Sequence, residues 1–306
     1  MKVSVIGLGQ VGSSLAFLLS IRSFIDELVL VGRSRESVMG DVLDLRHGQL
    51  FVDEPTKVVA GLPGDTAGSD VIAICASVPS GKSMKDRLEL APANVALLQE
   101  ILPELALLSP NCIMVMVSNP VDILVHFGLK ITGFKPTQIL GTGTLVDSAR
   151  FRQLLSDEIN IHMEDIRAYI LGEHGESQFP AMSCADAGGE PLDATPARYA
   201  MFRKASTAGF EVLKHKGYTN YAIAMAAMRI IECIAHDSKH TMPVSVKLDG
   251  FLGEEDVCLS LPAVVGKGGV ERILHPRLNE EEQAAFHRSA AAVREVIAPL
   301  MHALDT

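Results

Sequence analysis

The chain has fewer basic than acidic residues. It contains 27 Lys and Arg against 37 Asp and Glu, which gives a formal net charge of −10. No large basic cluster and no nucleic-acid motif occur, so this balance argues against non-specific nucleic-acid binding. The chain also lacks an uninterrupted apolar stretch long enough to span a bilayer, and a predicted strand at the very N-terminus leaves no room for a signal peptide. We therefore expect a cytoplasmic protein that binds neither nucleic acid nor membranes.

Cysteine is scarce as well. The five cysteines are odd in number, scattered, and mostly placed within apolar runs, at Cys75, Cys112, Cys184, Cys233 and Cys258. This pattern is typical of buried thiols in a reducing compartment rather than of disulfides or a metal site. We expect no metal.

The N-terminal segment combines a short apolar run with closely spaced glycines. Residues 1–6 are predicted to form a strand and residues 13–20 a helix, with the sequence G-L-G-Q-V-G at residues 7–12 between them. In such a turn the first glycine allows a tight bend, the second lets the backbone approach a pyrophosphate, and the third lets the helix pack on the strand. The motif has its required context and predicts a dinucleotide site that includes Gly7, Gly9, Gln10, Val11 and Gly12.

The end of the second predicted strand, residues 27–31, bears on the choice of dinucleotide. A carboxylate normally stands there, about 20 residues beyond the last glycine, and binds the adenosine ribose of NAD. This chain has Gly32 instead, followed by Arg33, Ser34 and Arg35, which offer two cations and a hydroxyl to a 2′-phosphate. NADP is therefore the favoured cofactor. In the alternative, the arginines are solvated and NAD binds without its usual carboxylate contact.

Two short motifs near the middle of the chain supply a carboxylate, a guanidinium and an imidazole. Asp147 and Arg150 share the run D-S-A-R, and His174 lies in G-E-H-G. Oxidation of a 2-hydroxy acid needs a base that titrates near neutrality, and histidine is that side chain. An acidic partner such as Asp147 would orient the imidazole, while Arg150 matches a substrate carboxylate with two donors.

With these motifs the chain resembles the L-lactate and malate dehydrogenase family over essentially its whole length. Beyond the glycine turn it carries V-S-N-P-V-D at residues 117–122, G-T-G-T at 141–144 leading into D-S-A-R, and L-G-E-H-G-E-S at 171–177, in the family's order. The resemblance implies that His174 is the proton acceptor and donor, Asp147 its orienting carboxylate and Arg150 the carboxylate clamp. It also implies that Asn119 contacts the substrate oxygen beside the nicotinamide, and that the Asn119-Pro120 bond is cis.

The family's mobile loop is matched only at its far end. There D-R-L-E-L at residues 86–90 makes Arg87 the residue that would polarise the substrate carbonyl, although it could also be an ordinary solvated charge. The position that selects the substrate falls on Ser80 or Gly81, depending on which end of the loop is aligned. Neither resembles the arginine of malate enzymes, and Lys82 or Lys85 would have to meet a distal carboxylate.

A second segment bears on the substrate. In K-G-Y-T-N-Y at residues 216–221, Thr219 resembles the threonine that borders the side-chain pocket of lactate-type and branched 2-hydroxy acid enzymes. Thr219 therefore favours a monocarboxylic substrate, while the loop lysines keep malate or oxaloacetate open.

The periodicity of the chain predicts an α/β protein. In the first half, apolar strand-like runs alternate with helical patterns, which indicates a doubly wound parallel Rossmann sheet. The second half, with long helices near residues 201–215 and 221–236, strands near 244–248 and 257–261 and a final helix, predicts a mixed α+β substrate domain. Asn279, with Glu282 three residues later, predicts a capping box at the start of the final helix. We place the boundary near Gly141, which gives a dinucleotide-binding domain of residues 1–141 and a catalytic domain of residues 142–306.

The family forms dimers or tetramers, so the resemblance implies a homodimer or homotetramer. Arg152 and Arg167 occupy positions where bacterial lactate dehydrogenases bind fructose 1,6-bisphosphate, although ion pairs would explain these arginines equally well. Taken together, the chain is predicted to be an NAD(P)-dependent L-2-hydroxy acid dehydrogenase that acts on a small 2-hydroxy or 2-oxo acid. The alternatives are a malate dehydrogenase that uses the loop lysines and a non-catalytic nucleotide-binding protein.

Overall fold

The computed structural model describes residues 1–79 and 87–302. The first half supplies six strands: β1 Lys2–Ile6, β2 Glu27–Val31, β3 Lys57–Gly61, β4 Val71–Ile74, β5 Ile113–Met116 and β6 Ile139–Gly141. Its helices are α1 Gln10–Ser20, α2 Glu36–Gly48, α3 Ala91–Leu108, α4 Val121–Thr132 and α5 Leu145–Ile159, with short 3-10 turns at Gln49–Phe51, Pro63–Thr66 and Arg87–Leu90.

The second half mixes short strands, a long hairpin and three helices. Its strands are β7 Ile166–Arg167, β8 Ile170–Leu171, β9 Phe179–Pro180, β10 Asp186–Ala187, β11 Glu190–Pro191, β12 His240–Asp249, β13 Glu255–Gly266 and β14 Gly269–Ile273. Its helices are α6 Pro196–Lys216, α7 Tyr221–Ala235 and α8 Glu280–His302, with 3-10 turns at Met163–Asp165, Met182–Cys184 and Phe251–Gly253.

One nine-stranded sheet carries the fold, in the order β14-β13-β12-β6-β5-β4-β1-β2-β3. Strands β1 to β6 pair in parallel. Strands β2 and β3 are added on one side of β1 and strands β4 to β6 on the other, so the order of strand addition reverses between β1 and β4. Ligands bind at such a switch point, outside the carboxyl ends of the strands. The predicted α/β class, with a doubly wound sheet and a mixed second part, is confirmed.

The sheet continues past the predicted domain boundary. Gly141 at the end of β6 pairs with Ser245 of β12, and β12, β13 and β14 then extend the sheet in antiparallel fashion. Strands of both halves therefore lie side by side within one sheet. The boundary near Gly141 remains a prediction of the sequence.

Burial explains why the parallel strands read as continuous apolar runs. Every residue of β4 and β5 is buried, because helices cover both faces of a parallel sheet. The predicted strand at residues 27–31 coincides with β2, and the predicted helix at residues 221–236 coincides with α7 to within one residue. Helix α8 begins with the predicted capping box, in which the main-chain nitrogen of Glu282 donates to Asn279 at 2.9 Å and that of Asn279 to Glu282 at 3.1 Å.

Candidate active site

The three groups predicted to carry the chemistry lie together. The Nδ1 atom of His174 lies 2.7 Å from Oδ2 of Asp147, and Nη1 of Arg150 donates to Oδ1 of the same carboxylate at 3.0 Å. Their side chains are 15%, 2% and 24% exposed for His174, Asp147 and Arg150. An ionised carboxylate can only accept, so Asp147 holds the proton on Nδ1 and leaves Nε2 as the nitrogen that can exchange a proton with a substrate.

The main chain around His174 is held from three directions. The main-chain nitrogen of Glu173 donates to the hydroxyl of Ser289 in α8 at 2.7 Å, and Gly172 forms an isolated antiparallel bridge with Ser260 of β13. The main-chain nitrogen of His174 donates to the carboxylate of Asp122 at 2.8 Å. The imidazole therefore projects from a fixed backbone, which is what a base in a defined place requires.

Asn119 lies on the turn that opens α4. The Asn119-Pro120 peptide bond is cis, as the resemblance predicted, and the main-chain oxygen of Asn119 accepts a hydrogen bond from Asn94 at 2.7 Å. Its side-chain Oδ1 is buried, and no donor within residues 1–79 and 87–302 reaches it. A buried carbonyl oxygen without a donor is costly, so this atom is suited to accept from a bound group.

A cavity of about 330 Å³ joins these groups to the substrate segment predicted from the sequence. Its lining includes Asn119, Arg150, His174 and Thr219. A second cavity, of about 430 Å³, opens on the other side of Arg150 and His174, towards the face of α6 that carries Arg203. The structure therefore brings together Thr219 and the predicted catalytic residues, which lie far apart in the sequence.

The glycine turn leaves room for a dinucleotide. Gly7 has a φ of +94°, and a Cβ at Gly12 would lie 2.0 Å from the Gly7 oxygen, so both positions require glycine. A Cβ at Gly9 would meet nothing within 4 Å, and Gly9, Gln10, Val11 and Asn119 line one groove of about 540 Å³. The open backbone at the start of α1 and the unpaired Asn119 oxygen fit a pyrophosphate and a nicotinamide.

At the end of β2, the predicted phosphate ligands differ in their surroundings. The Arg35 guanidinium donates to the main-chain oxygen of Ala60 at 2.5 Å and to the carboxylate of Asp65 at 2.7 Å, so it is already engaged. Ser34 exchanges hydrogen bonds with Ser37. Arg33 is exposed, and its side chain has no hydrogen bond or ion pair within the described part of the chain.

Several predicted residues lie outside the described residues. Ser80, Gly81, Lys82 and Lys85 all fall within the gap at residues 80–86. Arg87 begins the 3-10 turn Arg87–Leu90, but its side chain is also outside what the structure describes. Their predicted roles at the substrate stay predictions.

Comparison with known proteins assigns the chain to a family. The model of the lactate/malate dehydrogenase NAD binding domain matches residues 1–141, and that of the lactate/malate dehydrogenase alpha/beta C-terminal domain matches residues 144–303. The chain belongs to the lactate/malate dehydrogenase family. The resemblance seen in the motifs is thereby confirmed, and the protein is an NAD-dependent enzyme of the lactate/malate dehydrogenase type that acts on L-2-hydroxy acids.

Similar proteins in the family share nearly the full length. The chain is 36% identical to the L-lactate dehydrogenase of Acetivibrio thermocellus, over 98% of this chain and 97% of that protein. It is 39% identical to the L-lactate dehydrogenase of a Synechococcus species, over 97% and 98% of the two chains. Two solved structures are similar to the chain over almost its full length. The minor L-lactate dehydrogenase of Enterococcus mundtii has a TM-score of 0.92 and 29% identity, over 97% of this chain and 98% of that chain. MGS-M5, a lactate dehydrogenase from a deep-sea metagenome, has a TM-score of 0.93 and 31% identity, over 98% of both chains.

Three residues near the site were not singled out from the sequence. Asn220 is buried, accepts a hydrogen bond from Lys216 and donates to Ser14 of α1 at 2.7 Å, so it ties the turn before α7 to the cofactor helix. The Cys75 thiol borders the cofactor groove, where burial raises its pKa to about 12 and keeps it protonated. Asp122 appeared only as part of a motif. No local spacing signals these contacts, because Asn220 and Ser14 are 206 residues apart.

Disulfides, metal-binding clusters and helices that could span a membrane do not occur in residues 1–79 and 87–302. All five cysteines are free thiols. No group of three or more His, Cys, Asp or Glu side chains that could hold a metal ion occurs in the described ranges. Within the same ranges, no helix combines the length and hydropathy needed to cross a membrane.

Proposed function

We propose that this enzyme interconverts a monocarboxylic L-2-hydroxy acid, lactate or a branched relative, and the corresponding 2-oxo acid. The observation that carries the proposal is the lining of the cavity shared by His174, Arg150 and Thr219. Half of the other lining residues are aliphatic: Val11, Val117, Val146, Val212, Ala222 and Ile223. These walls suit a small apolar side chain.

Among the described residues, Lys216 is the one other cation that lines that cavity, and it already has partners. The Lys216 ammonium donates to the side-chain oxygen of Asn220 and lies 3.4 Å from the centre of the Tyr221 ring, in cation–π contact. Moving it to a substrate carboxylate would break both contacts. The L-lactate dehydrogenase relatives support the same substrate class.

In the proposed mechanism each residue has one task. Arg150 binds the substrate carboxylate through its planar pair of donors. His174 accepts the hydroxyl proton at Nε2 during oxidation and returns it during reduction, while Asp147 stabilises the charged imidazolium. When bound, the nicotinamide supplies the acceptor or donor of hydride. Asn119 accepts a hydrogen bond in the dinucleotide groove, and Arg87 would place its charge beside the developing alkoxide.

A dicarboxylic substrate is the second candidate, and Arg203 is the observation in its favour. This residue lines the adjoining cavity with Arg150 and His174, and within the described part of the chain its guanidinium has no hydrogen bond or ion pair. Glu176 lines the same cavity and offsets the charge of Arg203. For this reason we favour the monocarboxylic acid over malate.

Initial rates under identical conditions test the substrate. We expect pyruvate or a branched 2-oxo acid to give a kcat/KM at least roughly tenfold above that of oxaloacetate, the discrimination that an unmatched second carboxylate would cause. Arg203→Ala and Lys82→Ala/Lys85→Ala should leave the pyruvate rate unchanged. Higher activity with oxaloacetate, lost in one of these variants, would instead favour the malate enzyme and identify its distal cation. The absence of any rate would contradict both proposals.

For the cofactor, we propose that this NAD-binding domain binds NADP more tightly than NAD. It is supported by the absence of a carboxylate at Gly32 and by the unengaged Arg33 beside Ser34. Arg35 contributes only if a phosphate displaces Asp65 from it. Titration of NADH and of NADPH with the enzyme, followed by the fluorescence of the reduced nicotinamide, measures the two dissociation constants directly, and tighter binding of NADH would reject the preference.

We also propose that the enzyme is a cytoplasmic homodimer or homotetramer. Large apolar side chains are exposed on α1, α2 and the turn that follows α2, at Phe17, Ile21, Leu43, Leu50 and Phe51, and the last two are each 85% exposed. Exposed large apolar side chains are typical of an interface when they form one patch. Light scattering during size-exclusion chromatography would contradict the proposal if the particle had the mass of one chain.

Arg152 and Arg167 remain a proposed site for an anionic effector. Burial lowers the pKa of Arg152, and the like charge of Arg167 lowers it as well, against the opposing effects of Tyr169 and Glu164. Arg152 already donates to the main-chain oxygen of Met163 at 2.7 Å. Titration with fructose 1,6-bisphosphate should lower the half-saturation constant for the 2-oxo acid, and Arg167→Ala should abolish the effect. An unchanged constant and an unchanged oligomer would remove the proposal.

A further inference from the structure

Asp122 is a second carboxylate that contacts the His174 segment. It lies in the first turn of α4 and is only 3% exposed. Its Oδ2 accepts the main-chain N–H of His174 at 2.8 Å, and its Oδ1 accepts the hydroxyl of Ser245 in β12 at 2.6 Å. One carboxylate therefore joins the start of α4, the His174 segment and a strand of the second half.

This arrangement is costly for the protein. A buried carboxylate loses its hydration, and no lysine or arginine of the described ranges forms an ion pair with Asp122. Burial raises the pKa of Asp122 to about 6, against the opposing effects of the Ser245 and His174 hydrogen bonds and the charge of His174. The nearby Glu173 carboxylate raises it further. A neutral apolar residue would avoid this cost, so the position calls for a task that an apolar residue cannot do.

The turn that opens α4 also carries Asn119, which indicates what the Asp122 carboxylate does. Asn119 lies three residues before Asp122, beyond the cis bond to Pro120, and lines the cofactor groove. Because Asp122 binds the His174 main chain to this turn, the imidazole and the Asn119 amide are fixed relative to each other. Asp147 cannot do this, since it holds only the ring nitrogen and belongs to α5.

We propose that Asp122 is a positioning residue for the reaction: it fixes the His174 main chain to the turn that carries Asn119, and so sets the imidazole against the substrate. The proposal rests on the proposed role of His174 as the base. A displacement of about 1 Å at a reacting group can lower a rate by roughly a hundredfold, so a modest shift of His174 is enough to be measured.

The test compares two variants at this position. Asp122→Ala removes the acceptor, and we expect kcat for 2-oxo acid reduction to fall roughly tenfold to a hundredfold, the cost of a misplaced group, with KM and the NADH dissociation constant nearly unchanged. Asp122→Asn keeps an oxygen that accepts from His174 and adds an N–H that can donate to Ser245. It should restore most of kcat. A merely structural role would instead lower the melting temperature and leave kcat per folded site intact.

Two further variants make the result decisive. Ser245→Ala removes only the second anchor of the carboxylate and should lower kcat less than Asp122→Ala does. Wild-type kcat per folded site in Asp122→Ala, or a loss that Asp122→Asn does not rescue, would overturn the proposal. If His174→Ala itself kept its turnover, the proposed function would fail instead, so the two failures are distinguishable.

Discussion

At His174 and at Arg35 a basic side chain meets a carboxylate, but the two pairs lie in different surroundings. The Asp147 side chain beside His174 is 2% exposed, whereas Arg35 and Asp65 are 43% and 33% exposed. Removing one partner of a buried pair leaves the other uncompensated, while an exposed pair contributes about 0–1 kcal/mol and weakens with salt. The buried pair therefore fixes the geometry of its groups, and the exposed pair can exchange partners.

This difference in burial matches the different requirements of acid–base catalysis and of cofactor selection. The acid–base centre has to stand in one place, and Asp147, Asp122 and the contact of Glu173 with Ser289 all hold it. The segment after β2 has only to distinguish a cofactor with a 2′-phosphate from one without it, and its arginines, Arg33 and Arg35, lie at the surface. We expect substitutions at the first to have large effects that are independent of salt, and those at the second small effects that depend on salt.

The largest effect is expected for His174→Ala. Loss of the base should lower kcat by roughly a hundredfold to ten-thousandfold, the usual range for general acid–base catalysis, with cofactor binding near normal. Steady-state rates and fluorescence titration with NADH measure the two quantities. His47→Ala, at an exposed position of α2, is the matched control and should be unchanged. An equal loss of cofactor affinity in His174→Ala would show that the segment supports the fold rather than the chemistry.

Arg150→Lys should have the next largest effect. The lysine keeps the positive charge but loses the planar pair of donors, so kcat/KM for the 2-oxo acid should fall roughly tenfold to a hundredfold, the cost of a charged hydrogen bond. Most of the change should lie in KM. Arg150→Ala should be worse, because Asp147 would also lose the bond now 3.0 Å long. A change in kcat alone would contradict the role as carboxylate clamp.

Arg33→Ala tests whether the exposed segment after β2 binds the 2′-phosphate of NADPH. If Arg33 binds the 2′-phosphate, the NADPH dissociation constant should rise by roughly tenfold or less, as expected for one exposed charged contact, and that for NADH should stay the same. Arg35→Ala should change NADPH binding less, since Arg35 is engaged by Ala60 and Asp65. Equal effects of Arg33→Ala on the two cofactors would contradict a phosphate site.

The smallest effect is expected for Asp65→Asn. This change releases Arg35 from its ion pair, so NADPH should bind roughly twofold to fivefold more tightly, in line with the low energy of an exposed pair. The gain should shrink as salt is added. Tighter binding of NADH by the same factor would show that the carboxylate acts on the whole dinucleotide and not on the phosphate.

Much of the fold could be predicted because it follows from local patterns. The glycine turn, the continuous apolar strands and the capping box at Asn279 are determined by residues close in sequence, and each appears where it was predicted. The trio of Asp147, Arg150 and His174 could be predicted because two of its members share one turn of α5 and the third carries a distinctive motif. The substrate selector could not be predicted, since the chain departs from the family pattern at residues 80–85.

By itself, the sequence determined the fold class, the family and the chemical groups available to the reaction. Only the tertiary structure decided which of those groups are engaged. Asp122 and His174 are 52 residues apart, and Arg35 and Asp65 are 30 apart. The first contact joins α4 to the segment after β8, and the second joins the end of β2 to the turn after β3. Both distances are set by how these elements pack, which no local periodicity records. From the sequence, Arg35 is predicted to bind a phosphate. In the folded chain it forms an ion pair, because packing brings the Asp65 carboxylate to it.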